Sequence, residues 1–126
     1  MICIIDIGIS NIYNVCNALK YIGKNFEVSN DSKKIQNSEL IILPGVGSFG
    51  YGIESLKKHK IYELLKNLKG DQKIIGICLG MQLLFEKSEE SKNQFGLGII
   101  KGNVLKLPKK NDNTLIPNIG WRKTLY

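Results

Sequence analysis

Strands alternating with helices through the first ninety residues predict an α/β fold, a parallel sheet with helices on both faces. Three observations carry this. Met1–Ile7 and Leu40–Leu43 are unbroken apolar runs, the pattern of strands buried on both faces. Between them Ile12, Val15, Cys16, Leu19 and Ile22 recur at the helical period. The run Gly76-Ile77-Cys78-Leu79-Gly80 then joins an apolar strand to a helix through a turn that demands small neighbours.

The first strand ends at Asp6-Ile7-Gly8; Ser10 or Asn11 can cap the helix that follows, and Gly23 is placed to stop it. Asn25–Ser29 is a short second strand, and Asp31–Gln36 a weak turn or helix. Leu40–Leu43 is a third strand, broken by Pro44. Tyr51–Lys69 reads as a helical region interrupted near His59, Asp71–Ile77 as the fourth strand, Gly80–Lys87 as a helix and Ser88–Gln94 as a polar loop. Gly98–Leu107 changes character and reads as paired short strands before a Lys-Asn-Asp loop. Parallel strands place functional loops at their carboxyl ends, here Gly8–Asn11, Gly45–Gly50 and the turn at Cys78.

A chain of 126 residues suits one domain. Its three cysteines have no framework spacing, its N-terminus enters a strand without a charged leader, and no apolar run approaches a membrane span. A cytoplasmic protein without membrane attachment is expected. The net charge of +7 would ordinarily raise nucleic acid as a partner, but the only arginine among the 18 basic residues is Arg122 and the lysines are scattered among acids and asparagines. A solvated surface is the better reading, with no nucleic acid bound.

Cysteine is commonly a core residue, and Cys3, in an apolar strand, and Cys16, on the apolar face of a helix, read that way. Cys78 differs because glycines stand two before and two after it. That is a nucleophile elbow with sulfur in place of oxygen. The following helix start favours negative charge at the sulfur and offers the Leu79 amide to an anionic intermediate. Leu43-Pro-Gly-Val-Gly-Ser-Phe-Gly50 supplies a second loop whose backbone can approach a ligand closely, although its spacing is not that of a phosphate loop. The single histidine, His59, sits in Lys57-Lys-His-Lys60 within a helical stretch and reads as surface.

Gly76-Ile-Cys-Leu-Gly-Met-Gln-Leu-Leu-Phe-Glu86 resembles the nucleophile segment of class I glutamine amidotransferases, and Pro44-Gly-Val-Gly47 narrows the resemblance to the glutaminase subunits of imidazole glycerol phosphate synthases. Gly96–Leu107 and Ile116-Pro-Asn-Ile-Gly-Trp121 continue it in order. The resemblance implies a flavodoxin-like parallel sheet and a single type-1 amidotransferase domain over residues 1–126. It implies that Cys78 attacks the glutamine carboxamide, that the amides of Leu79 and, after a peptide reorientation, Val46 hold the oxyanion, and that Gly45, Gly47, Gln82 and Glu90 bind substrate. Ammonia would pass to a (β/α)8 barrel cyclase subunit, forming a heterodimer through a surface containing Asn11, Asn14 and Trp121. Trp121 reads equally well as core. No metal or other cofactor is implied.

Members of the family also carry a His-x-Glu pair beyond the position of Tyr126, so the chain reads as a C-terminally incomplete amidotransferase, inactive alone for want of that pair. A sheet edge and part of an apolar face should then be uncovered, and the fragment aggregation-prone. Ser10 stands where glycine is usual, and Arg122 where asparagine is usual. Three other readings stay open: a paralogous ammonia-supplying subunit serving, for example, a nucleotide-sugar synthase, an inactive interaction module, and an unrelated Cys-elbow enzyme. The last needs a histidine at a strand end.

Overall fold

The computed structural model describes residues 1–68, 70–109, 116–117, 119–121 and 123. Four parallel strands, β1 (Ile2–Ile5), β2 (Phe26–Ser29), β3 (Leu40–Gly45) and β4 (Lys73–Cys78), form a sheet in the order β2-β1-β3-β4. Helices α1 (Ile12–Tyr21), α2 (Ser32–Gln36), α3 (Phe49–Lys58), α4 (Tyr62–Lys66) and α5 (Leu79–Leu83) connect or follow them. Chain direction across the sheet reverses after β2. Right-handed crossovers therefore put α1 on one face and α2 and α3 on the other, and leave a switch point between the carboxyl ends of β1 and β3.

Strand alternation sorts the core into two clusters. Cys3, Ile5, Ile41 and Leu43 face one way and pack with Phe49, Ile53 and Leu56 of α3, Leu65 of α4 and Leu79 and Leu83 of α5. Ile4 and Ile42, in register with each other, face the opposite way and meet Ile12, Val15, Cys16 and Leu19 of α1. Cys3 and Cys16 are thus packing residues, as their settings imply. α1 starts at Asn11, whose side-chain oxygen accepts from the Asn14 amide (3.4 Å); the Ser10 hydroxyl is buried without a partner among the described residues.

The break expected near His59 is real: α3 ends there, Lys60 takes a positive φ of 58°, and α4 begins two residues later. Three expectations are corrected. Pro44 does not break β3, which continues to Gly45, because β1 stops opposite Ile42 and leaves Pro44 with only β4 beside it. The helix expected over Gly80–Lys87 lasts only from Leu79 to Leu83. Lys87–Ser88 instead forms β5, and it pairs in parallel with β6 (Asn103–Val104), so the Gly98–Leu107 stretch does not pair with itself. The sheet is also less covered than a doubly wound pattern implies. β4 is an edge among the described residues, and Ile75 and Ile77 on its α1-side face stay 47% and 40% exposed.

Buried polar groups tie the layers together. The Ser55 hydroxyl donates to the Ile7 carbonyl at 2.7 Å, and the Tyr62 hydroxyl donates to the Gly96 carbonyl at 3.0 Å, with the Phe95 carbonyl at 3.2 Å. Tyr62→Phe leaves a buried carbonyl unpaired, and a loss of about 1–2 kcal/mol is expected in urea unfolding. No helix among the described residues is long and apolar enough to cross a membrane.

Candidate active site

Cys78 ends β4 and caps α5, with φ 54° and ψ −117°. A side-chain-bearing residue in that region is strained, and a strand-to-helix turn around a nucleophile is a place where such strain is held by its surroundings. The surroundings here are glycines. A Cβ on Gly76 would collide with the backbone of Met81, and one on Gly80 would overlap the Leu43 carbonyl oxygen. Both flanking positions therefore need glycine because the elbow folds tightly back on β3 and on itself.

The register pairs Gly45 directly with Cys78, so the glycine-rich loop and the thiol leave neighbouring strands side by side. A Cβ on Gly45 would lie 3.0 Å from the Gly80 nitrogen and 3.1 Å from Leu79 Cβ, which fixes the loop's first residue against the elbow. Leu79 opens α5, so its amide is one of the first-turn donors that lack an intrahelical acceptor. The Val46 amide is occupied: it donates to the Ile9 carbonyl at 2.7 Å. This contact bridges the two loops at the switch point, and the Gly45–Val46 peptide must rotate before Val46 can serve an oxyanion.

Beside the elbow lies an open cavity of about 460 Å³ lined by Gly47, Gln82, Glu90, Ser88 and the Val104–Lys106 strand end. Three of the four residues expected to bind substrate thus converge on one cavity, while Gly45 stays behind it against the elbow. Cys78 is exposed, four residues before Gln82, and is not itself among the residues that line the cavity. Sequence reasoning missed Ser88, a buried side chain whose hydroxyl accepts from the Glu90 amide at 3.2 Å, and Glu89, whose carboxylate accepts from the Lys106 amide at 2.9 Å and draws that segment over the cavity. Neither had a motif to mark it. Asn11, Asn14 and Trp121 are all exposed, and Trp121 packs on no core cluster among the described residues. Arg122 lies outside the described residues.

His59 makes no hydrogen bond to Cys78 among the described residues. It caps the C-terminal end of α3, and its Nδ1 donates to the Ser55 carbonyl at 2.9 Å. Of the thiols, Cys3 is fully buried, and burial, aided by the nearby Glu27 carboxylate, pushes it up to about 11. Iodoacetamide at neutral pH should therefore alkylate exposed Cys78 at least about tenfold faster than Cys3, read by peptide mass spectrometry. Equal rates would mean that β1 is not packed as described.

Residues 3–120 match the family described as glutamine amidotransferase class-I. The imidazole glycerol phosphate synthase subunit HisH of Caldanaerobacter subterraneus subsp. tengcongensis is 48% identical over 122 residues, covering 96% of this chain and 59% of that one. The protein of the same name from Bacillus subtilis is 39% identical over 130 residues, covering 100% and 61%. The chain thus spans about 60% of the length of these curated relatives. A crystal structure of a glutamine amidotransferase superposes with a TM-score of 0.71 at 17% identity, over 82% of this chain and 55% of that one, and shows the same fold. With a cysteine elbow, a glycine-rich loop registered beside it and this extent of similarity, the chain belongs to the class I glutamine amidotransferase family.

Proposed function

We propose that these residues form the N-terminal part of a type-1 amidotransferase domain acting as the glutaminase subunit of an imidazole glycerol phosphate synthase in the cytoplasm. The observation that carries this reading is Cys78 held at φ 54° between glycines, in register with Gly45 of the adjacent loop. The names of the 39–48% identical relatives support the choice of synthase.

Glutamine would enter the cavity with its amino-acid end toward Glu90 and Gln82. Cys78 Sγ attacks the carboxamide carbon, and the C–O π electrons move onto oxygen, where the Leu79 amide donates to the anion. Rotation of the Gly45–Val46 peptide away from Ile9 adds the second donor. Collapse breaks the C–N bond; the nitrogen leaves as ammonia once protonated, and water then cleaves the glutamyl thioester to glutamate. The proton taken from the thiol and returned to the nitrogen needs a base. His59 caps α3 with its Nδ1 held by the Ser55 carbonyl and makes no hydrogen bond to Cys78 among the described residues, so in this reading the base lies outside residues 1–126, and residues 1–126 alone do not turn glutamine over. Ammonia then passes to a (β/α)8 barrel cyclase docked on the face that carries Asn11, Asn14 and Trp121.

The test is glutamate release by the full natural protein, with and without a cyclase subunit. Turnover that rises on adding the cyclase is expected. Turnover by residues 1–126 alone would overturn the assignment of the base, and no turnover by the full protein with its cyclase would overturn the function.

A further inference from the structure

Glu90 does something that a simple ammonium-binding carboxylate does not. Its Oε2 accepts from the backbone amide of Phe49 at 2.7 Å, a contact between segments 41 residues apart. Phe49 is the first residue of α3, and its side chain is fully buried. The Ser48 side chain accepts from the Tyr51 amide at 3.4 Å, and the Ser48 carbonyl from Gly52 at 3.0 Å, so Glu90 supplies a partner for a first-turn donor that Ser48 does not reach. A carboxylate there also meets the positive end of a ten-residue helix.

The consequence lies in what α3 follows. The loop of the glycine-rich segment is pinned at Gly45 by the elbow and at Phe49 by Glu90, leaving only Val46, Gly47 and Ser48 between the two anchors. Glu90 is itself braced: its amide donates to the buried Ser88 hydroxyl, Ser91 lies where a Gly50 Cβ would meet its Oγ at 2.9 Å, and Gln94 donates to Glu54 at 3.0 Å. The segment from Ser88 to Gln94 runs along the first turns of α3. The other carboxylate oxygen, Oε1, makes no hydrogen bond among the described residues, and Glu90 lines the cavity. One carboxylate can thus hold the loop with one oxygen and face a ligand with the other.

We propose that Glu90 is a positioning residue for the Gly45–Ser48 loop, acting through the Phe49 amide, in addition to any contact with substrate. The proposal rests on the glutaminase reading only for its kinetic consequence; the anchoring itself does not. Occupation of Oε1 by a substrate ammonium would then bear on the same carboxylate that sets where the Val46 peptide can rotate.

Hydrogen–deuterium exchange on the ligand-free full natural protein separates anchoring from substrate binding. Glu90→Gln keeps an oxygen acceptor for Phe49 and removes the charge, whereas Glu90→Ala removes both. In peptides spanning residues 44–52, Ala should speed exchange at least about tenfold and Gln less than about threefold. Glu90→Asp, charged but one methylene short of Phe49, should follow Ala and serves as a second variant if Ala folds poorly. In glutaminase assays, Gln and Ala should both raise KM, while kcat should fall at least about tenfold only in Ala. Equal exchange in wild type, Gln and Ala, or equal kcat in Gln and Ala, would overturn the proposal. If glutamine is not turned over at all, the exchange pattern still decides the anchoring, and only the assignment of function fails.

Discussion

Replacing Cys78 by alanine in the full natural protein is expected to lower glutamate release at least about 10³-fold, since the proposed covalent route, deprived of its proposed nucleophile, falls back on bound water. Cys78→Ser tests the same point with less steric change. Its oxygen keeps the elbow filled but is a much weaker nucleophile at neutral pH, so release should fall by a similar order. Binding of the cyclase should survive both substitutions, because the thiol stands at the end of β4 and the expected partner residues Asn11, Asn14 and Trp121 are on other segments. The alanine variant carries a particular interest. Cys78 occupies φ 54°, and alanine tolerates that region no better, so a change in folding would be due to packing and not to backbone relief. Turnover left within tenfold of wild type would mean that another group attacks the carboxamide. Loss of activity together with loss of cyclase binding would mean that the cysteine is structural.

The elbow was legible in the sequence because its determinants are local. Gly76 and Gly80 exclude side chains from contacts made within the turn itself and with the strand immediately beside it. α1 was legible for a similar reason, its apolar stripe and its cap all lying within a dozen residues. Pro44 was misread because its tolerance depends on how far β1 extends, a property of a different segment. The two-residue strands β5 and β6 have too little pattern for a period to be seen, and they exist through the pairing of Lys87–Ser88 with Asn103–Val104.

The site divided along the same line. Which residues gather at the carboxyl ends of β3 and β4 followed from topology, but what their backbones do there did not. The Val46 amide faces the Ile9 carbonyl, and the Phe49 amide faces Glu90. Both are contacts of main-chain donors, which every residue except proline carries, so no residue type announces them. They became visible only when the loops were set against each other. The functional loop is consequently better described by its anchors than by its glycines.

Gly80→Ala isolates the tightest of these contacts and should have the largest effect on stability. Gly80 lies within α5 at an ordinary φ, where alanine would on propensity alone be favoured over glycine by about 1 kcal/mol. Sterics oppose this. The added Cβ would overlap the Leu43 carbonyl oxygen and lie 2.7 Å from its carbon, and Leu43 belongs to β3, an interior strand of the sheet whose neighbour β4 pairs Gly76 against it. The obstacle is main chain in a ladder, so it cannot swing aside as a side-chain tip would. α5 must lift away, taking Leu79 and Leu83 out of the main core cluster. The net loss should be at least about 3 kcal/mol in urea unfolding, the range of severe core overpacking, with the small propensity gain overwhelmed. Gly70→Ala is the matching control: nothing among the described residues lies within 4 Å of its added Cβ, so a change within about 0.5 kcal/mol is expected. If Gly80→Ala proved as mild as Gly70→Ala, α5 would not dock against β3 this closely, and the elbow would not hold Cys78 beside Gly45 in the way the proposed chemistry needs.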